Sequence, residues 1–269
     1  MIIIGEKINS TRGAVRAAIE RRDAGPLAAL AQKQREAGAD YIDVNAGMFL
    51  DGEAESLEWL VGVAQDATDA PLSLDSPNAT ALRRGLRAVR AGRNGKPLIN
   101  SITDEKARYD AVLPLIKEFD TSVIALCMDD SGMPERAEDR IIIAERLIEK
   151  LTGEGMRPED IFIDPMVRPI GTGSGYGIAA LETIREVKRR RPEVHIACGL
   201  SNVSYGIPAR KLMNRTFLVA AIAAGMDGAI LDPLDRELMA SLYAGEALLG
   251  IDEYCAGYLS KFREGALDV

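Results

Sequence analysis

The sequence predicts an α/β fold, a single (β/α)8 TIM barrel, on three observations. Short apolar, β-branched runs recur eight times, amphipathic stretches of helical length separate them, and 269 residues is a usual length for one such barrel. A doubly wound sheet would show the same alternation; the count of eight favours closure. No linker rich in Pro, Gly and Ser divides the chain, so residues 1–269 are expected to form one domain.

The strand candidates fall at residues 2–4, 41–44, 72–74, 98–99, 123–126, 161–163, 195–197 and 229–231. Each is too short for a helix and apolar on both faces, as a parallel strand buried on both sides must be. The helix candidates are 53–67, 78–91, 105–118, 138–151, 178–190, 209–224 and 235–248; in the first, Leu57, Leu60, Val61 and Ala64 recur at helical spacing. Asn78, Asp104 and Asp235 are good N-cap residues. Gly38, Gly92, Gly153 and Gly225 mark helix ends. The Gly-rich run RPIGTGSGYG (168–177) lies between a strand and its helix, and reads as a flexible loop over a site. A phosphate cradle there is the lesser reading, since no Lys follows.

Composition excludes several classes. The net charge of -8 argues against nucleic-acid binding, which needs a basic stripe. The run Lys188, Arg189, Arg190, Arg191 reads as a solvated helix end. Three cysteines, Cys127, Cys198 and Cys255, have no CxxC spacing; neither a disulfide framework nor a zinc site is expected, in keeping with the cytoplasm. The N-terminus lacks a basic leader and reads as a first strand. No apolar stretch is long enough to span a bilayer.

In a parallel barrel the active site forms at the C-terminal ends of the strands. Here those ends carry Glu6, Lys7 and Asn9; Asp43 and Asn45; Asp75; Asn100 and Ser101; Asp129; Asp164; Ser201 and Asn202; and Asp232. Any one of these could be a turn residue. Together they can hydrogen-bond a flat, amide-rich heterocycle: a carboxylate accepts the two N–H groups of a 2-amino-pyrimidinone edge, and Asn donates and accepts at once. The single histidine, His195, lies early in a strand and reads as a buried structural residue. With no G-x-S-x-G elbow, a Ser–His–Asp triad is not expected; a His-rich metal site is excluded by count, and a carboxylate-only Mg site stays open without a ligand spacing to mark it.

The segments GEKIN (5–9), DVNAG (43–47), LEWLV (57–61), LSLDSPN (72–78), INS (99–101), IFIDP (161–165), GLSNVS (199–204) and NRTFL (214–218) run in order along the chain. In that order and spacing the sequence resembles the methyltetrahydrofolate:corrinoid methyltransferases, barrels of the pterin-binding type. The resemblance covers nearly the whole chain. It implies that Asp75, Asn100 and Asp164 hold the pterin ring of tetrahydrofolate or 5-methyltetrahydrofolate, that Asn202 hydrogen-bonds the methyl-bearing N5 as the catalytic residue, and that Gly199 shapes the pocket wall. It assigns Arg210 and Arg215 to positioning the folate or forming the corrinoid-facing rim; Glu6 braces the mouth or is structural. It further implies a homodimer and a corrinoid (cobalamin) supplied by a separate corrinoid protein, since no D-x-H-x-x-G segment is present. A tertiary amine is a poor leaving group, so a bond to N5 that strengthens in the transition state would remove about 2–4 kcal/mol of barrier.

Two features depart from the family. Tyr205 stands where acetogen-type enzymes carry a polar amide, and the GTGSGYG loop diverges. Both bear on the corrinoid partner and the direction of transfer, which the resemblance leaves open. Two other functions stay in view. Dihydropteroate synthase shares the barrel and pterin site but needs an anion site after the last strand, where this chain has the acidic LDPLD (231–235). A non-catalytic pterin-binding subunit would keep the pocket without turnover.

Overall fold

The computed structural model describes residues 1–90 and 94–268. Eight parallel strands close into a barrel in chain order: β1 (Ile2–Asn9), β2 (Tyr41–Asn45), β3 (Leu72–Asp75), β4 (Leu98–Thr103), β5 (Ser122–Leu126), β6 (Ile161–Asp164), β7 (His195–Gly199) and β8 (Gly228–Leu231), with β8 paired back onto β1. Helices α1 (Gly13–Glu20) and α2 (Ala24–Glu36) follow β1. One α-helix follows each later strand: α3 (Glu53–Ala67), α4 (Ala79–Ala88), α5 (Lys106–Phe119), α6 (Ala137–Gly153), α7 (Tyr176–Arg190), α8 (Arg210–Ala224) and α9 (Arg236–Leu248); α10 (Ala256–Arg263) succeeds α9. The expected barrel is the observed one. Among the described residues no helix is long and apolar enough to cross a membrane.

Strand residues alternate between two apolar layers, as a period of two requires. Ile3, Ile42, Leu72, Leu74, Ile99, Val123, Ile161, Ile163, Ile196 and Ala229 point outward and join the helices in one large core. The alternate residues Ile4, Leu98, Ile124, Phe162 and Ala197 form a second, smaller cluster inside the barrel, with Ile2, Tyr41, Leu126 and Ile230 against it. The polar residues at the barrel mouth continue this inner set.

In β1 the register to β2 shifts between Gly5 and Ile8, inserting an extra residue. Gln34 of α2 fills the irregularity, its Oε1 accepting the Lys7 N–H at 2.9 Å. A Cβ on residue 5 would meet that oxygen at 2.6 Å, so only glycine fits there. The bulge puts the consecutive residues Glu6 and Lys7 both at the mouth: Glu6 lines the cleft and Lys7 Nζ reaches Asp232 at 2.5 Å.

Caps follow the sequence in part. Asn78 and Asp235 cap α4 and α9, accepting the N–H of Thr80 at 2.9 Å and of Leu238 at 3.2 Å. Asp104 does not cap α5. Its buried carboxylate is taken by Arg146 and Lys150 of α6, and the Lys106 N–H goes to Asp130 instead. Gly225 ends α8 and Gly38 follows α2, both with positive φ. Gly153 is the last residue of α6, and the left-handed position belongs to Gly155. Ala91 and Gly92, expected at the end of α4, lie outside the described residues.

Candidate active site

One step of two along each strand from the inner apolar cluster leads to a polar residue. Leu98 leads to Asn100, Phe162 to Asp164, and Tyr41 to Asp43 and then Asn45, while on β7 the same step from Ala197 reaches the bare backbone of Gly199. The barrel register sets Asn45 beside Asp75, Asp75 beside Asn100, and Leu126 beside Asp164. The floor of the barrel is therefore apolar and its mouth is lined with carboxyl and carboxamide groups.

These groups border a cleft of about 460 Å³. The structure brings Glu6, Asp75, Asn100, Gly199, Asn202 and Arg210 together on its wall, with Asp43 at its base. Asp164 is buried and does not line the cleft itself; its carboxyl accepts the Met166 N–H at 2.7 Å and the Gly199 N–H, which places it directly behind the glycine.

Two hydrogen-bonded threads hold the acids. Ser73 Oγ donates to Asp43 Oδ1 at 2.7 Å, and Asn100 Nδ2 approaches the same oxygen at 3.3 Å. Asn45 Nδ2 donates to Asp75 Oδ2 at 2.9 Å, while Asn45 Oδ1 accepts from Ser10 Oγ, also at 2.9 Å. Burial raises all three carboxyl pKa values. Asp164 is pushed up to about 7 by burial, against the opposing N–H bonds from Met166 and Gly199. Asp75 is raised to about 6 by burial, against its bond from Asn45. Asp43 lies well above the usual carboxylate range, first through burial and then through the neighbouring Asp75 charge. Burial also raises Glu6, partly offset by Arg12, whose Nη2 lies 3.1 Å from it.

Asn202 sits on a 3-10 turn, Leu200–Ser204, immediately after β7. Its side chain is exposed to the cleft, and its carboxamide has no hydrogen-bond partner among the described residues. A Cβ on residue 199 would lie 2.9 Å from Asn202 Nδ2, so glycine is what lets the carboxamide lie flat against the wall. Arg210 begins α8 and gives its donors to Ser204 Oγ at 3.1 Å and the Ser201 carbonyl at 2.8 Å. Arg215 is not at the cleft: it is turned outward to Asp235 and Glu237. One helical turn and a half separates the two arginines, so they leave α8 on different faces.

Three contributors were not singled out as site residues in the sequence. Asp43 was visible at a strand end, and alternation inward from Asn45 would have selected it. Arg12 belongs to a helix entry that the apolar pattern did not reveal. Arg108 of α5 binds the Ser76 carbonyl at 2.9 Å and, through Nε, the Ser101 carbonyl at 3.0 Å, tying the loops that follow Asp75 and Asn100; an arginine on a helix carries no sequence signal for this. His195 lies at the opposite end of the barrel. It is partly exposed rather than buried, stacks on Phe162 at 4.7 Å and meets Asp227 at 2.9 Å, a structural role as expected.

A closed barrel whose mouth presents buried carboxyls and a free carboxamide over an apolar floor suits a flat, amide-rich ligand. The family described as pterin binding enzyme matches residues 5–232, and the chain belongs to it. Over 273 aligned residues it is 38% identical to the methylcorrinoid:tetrahydrofolate methyltransferase of Eubacterium limosum, which covers 99% of this chain and 98% of that protein. It is 32% identical to methionine synthase of Mycobacterium tuberculosis over 86% of this chain, which spans 20% of that longer protein. Among solved structures, Yersinia pestis dihydropteroate synthase with a sulfonamide drug superposes with a TM-score of 0.70 at 15% identity, covering 92% of this chain and 93% of that one. That likeness shows the shared fold.

Proposed function

We propose that this chain is a methyltransferase that moves a methyl group from the cobalt of a corrinoid, carried on a separate protein, to N5 of tetrahydrofolate. The observation that carries this reading is the free Asn202 carboxamide, held against Gly199 on the wall of a cleft bordered by Asp75 and Asn100. The full-length similarity to a methylcorrinoid:tetrahydrofolate methyltransferase supports the reaction and its direction.

The residues fit a pterin. The cleft has the volume of a small-molecule site. Asp75 and Asn100 take the polar edge that faces the cleft, and the 2-amino-pyrimidinone edge enters deepest, at the base beside Gly199, where the ionised Asp164 behind that glycine turns to accept its two N–H groups. Asn45 orients Asp75, and Ser73 holds the neighbouring Asp43, through the threads described above. Glu6 braces the mouth, with Arg12 against it. The corrinoid supplies the methyl group from its cobalt when its carrier protein docks over the mouth.

Asn202 accepts the N5 hydrogen through its carboxamide oxygen, leaving the N5 lone pair toward the methyl carbon; the carbon–cobalt bonding pair would stay with the corrinoid, and the N5 proton then passes to solvent to leave neutral 5-methyltetrahydrofolate. As positive charge develops on N5 this bond strengthens, so it stabilises the transition state more than the bound substrate. Orientation of the two reactants within the cleft provides the remainder. Nothing here favours condensation of a pterin diphosphate: after β8 the chain offers Asp232, already engaged by Lys7.

On the same reading, residues 1–269 act as one pterin-binding domain, as a homodimer in the cytoplasm, where Cys127, Cys198 and Cys255 remain free thiols. The test is anaerobic spectroscopy with a methylated corrinoid protein and tetrahydrofolate. Enzyme-dependent loss of the methylcobalt band with formation of 5-methyltetrahydrofolate is expected. Folate binding without turnover would instead assign the chain to a binding-only subunit.

A further inference from the structure

Arg140, near the start of α6, is the largest of the fully buried side chains. Arginine is not deprotonated inside proteins, and a buried cation is almost always matched by an anion. Here it is not. Nε donates to the Pro134 carbonyl at 3.1 Å, Nη2 to the Glu135 carbonyl at 3.3 Å and Nη1 to the Pro165 carbonyl at 3.2 Å. All three acceptors are neutral, and no carboxylate lies at salt-bridge distance among the described residues.

The same carbonyls fix where the charge sits. Pro134 and Glu135 belong to the loop after β5, and Pro165 directly follows Asp164 at the end of β6. The guanidinium is thereby pinned to the residue beside Asp164, and its charge acts on that carboxyl. The other groups around the two are neutral or already matched. The thiols of Cys127, just after β5, and Cys198, on β7, are buried, and burial raises both, so they stay protonated. Arg168, in the loop after β6, pairs with Glu135 at 3.1 Å and lies over the Tyr176 ring at 4.2 Å. The Met166 and Gly199 N–H groups that Asp164 accepts are dipoles without net charge. Among the described residues Arg140 is therefore the charged side chain that acts on Asp164.

A protonated Asp164 leaves the buried cation unanswered, and an ionised one answers it. Burial opposes that ionisation, whereas two N–H donors arriving from a ligand favour it. We propose that Arg140 is a positioning residue for the pterin: a standing internal counter-charge that the Asp164 carboxylate completes when the 2-amino-pyrimidinone edge binds. This rests on the reading of Asp164 as the acceptor of that edge. Arg140 does not line the cleft and acts only through Asp164, letting the acid ionise, and the pterin bind, at a lower pH than burial alone would allow.

The test is anaerobic titration calorimetry with tetrahydrofolate between about pH 6 and about pH 9, without corrinoid protein, on the parent, Arg140→Gln and Arg140→Lys. Arg140→Gln should move the pH of half-maximal affinity upward by about one unit, so that folate binds about tenfold more weakly near pH 6 and almost equally near pH 9. Arg140→Lys keeps the charge but not the fork that reaches three carbonyls; it should melt at a lower temperature and keep the parent's midpoint. Arg140→Met, which buries no unpaired donor, is the second neutral variant should Arg140→Gln fail to fold, with the same upward shift expected. A neutral variant weaker by one factor at every pH, its midpoint unchanged, would make Arg140 a structural tie and overturn the proposal while leaving the Asp164 reading standing. A midpoint displaced as far in Arg140→Lys as in the neutral variant would overturn it too, since the charge would then be irrelevant. A parent whose affinity does not change with pH would remove Asp164 from pterin recognition and the counter-charge with it.

Discussion

Asp164 sets binding against stability at a single residue. Its carboxyl is buried, and burial raises its pKa to about 7, so the empty protein resists ionising the group that must be a carboxylate to accept the pterin N–H pair. Asp164→Asn keeps one oxygen for the Met166 N–H, sets its amide N–H toward the Gly199 N–H, and cannot ionise. The expected result, by scanning fluorimetry without folate, is a lower melting temperature at pH 5 that falls less than the parent's between pH 5 and pH 8, with tetrahydrofolate affinity at least about tenfold weaker. A fall with pH equal to the parent's would contradict the buried-charge argument. Asn202 makes the complementary case. It carries no structural hydrogen bond through its side chain, so Asn202→Ala should leave stability unchanged. It should slow methyl transfer about a hundredfold while changing folate affinity no more than about threefold. Equal losses in rate and affinity would remove its assigned role at N5.

At the scale of elements, α4 fixes the loop that follows Asp75. The Asn78 carboxamide accepts the Thr80 N–H, and the Asn78 N–H in turn donates to Ser76 Oγ at 3.0 Å. Asn78→Ala should cost about 1 kcal/mol, a fall of about 2–4 °C in melting temperature for a chain of this size; calorimetry checks it, and no change would mean that another group satisfies the helix start. This cap was legible because Asn stands immediately before a clear helical stripe. Asp104 has the same appearance in sequence, yet its partners Arg146 and Lys150 lie on α6, more than 40 residues further along the chain, where local pattern gives no warning. Strands were found but read short: β4 runs to Thr103, well past Ile99, because an apolar criterion stops where the polar mouth begins. Helices α1, α2 and α10 went unread for different reasons. The first is only two turns long, the second buries Leu27, Ala31 and Gln34 in a weak Ala-rich stripe, and the last buries nothing. Asp75, Asn100 and Asp164 were legible since they close strands. Asp43 was within reach of simple alternation from Asn45, whereas the bulge presenting Glu6 and Lys7 depends on register between strands, which one sequence does not display.

Across the whole molecule, the barrel mouth makes stability depend on pH in an unusual sense. Asp43, Asp75 and Asp164 all have folded pKa values above the usual carboxylate value, with Asp75 at about 6 and Asp164 at about 7. Above pH 4 the unfolded chain has released these protons while the folded chain still holds them. The folded state then binds more protons than the unfolded one, so stability falls as pH rises, and the contribution is gone above the folded values. Elsewhere, Asp160, Asp227 and Asp235 are held low by cations and N–H donors, and their contribution is present above the ordinary value and lost only in acid. The two sets together place the stability maximum of the folate-free protein at about pH 4 and predict a decline that levels off above about pH 7. Tetrahydrofolate should reverse the decline, because its N–H groups compensate the carboxylates as they ionise. The shift in melting temperature on adding folate should therefore grow from pH 5 to pH 8, and affinity measured by calorimetry should rise over the same interval with release of protons to the buffer. A ligand-induced shift constant with pH would remove these acids from pterin recognition, and one that shrinks as pH rises would mean that the pterin binds the protonated acids. In that case Asp164 would act as a hydrogen-bond donor, and the orientation of the ring in the cleft would have to be inverted.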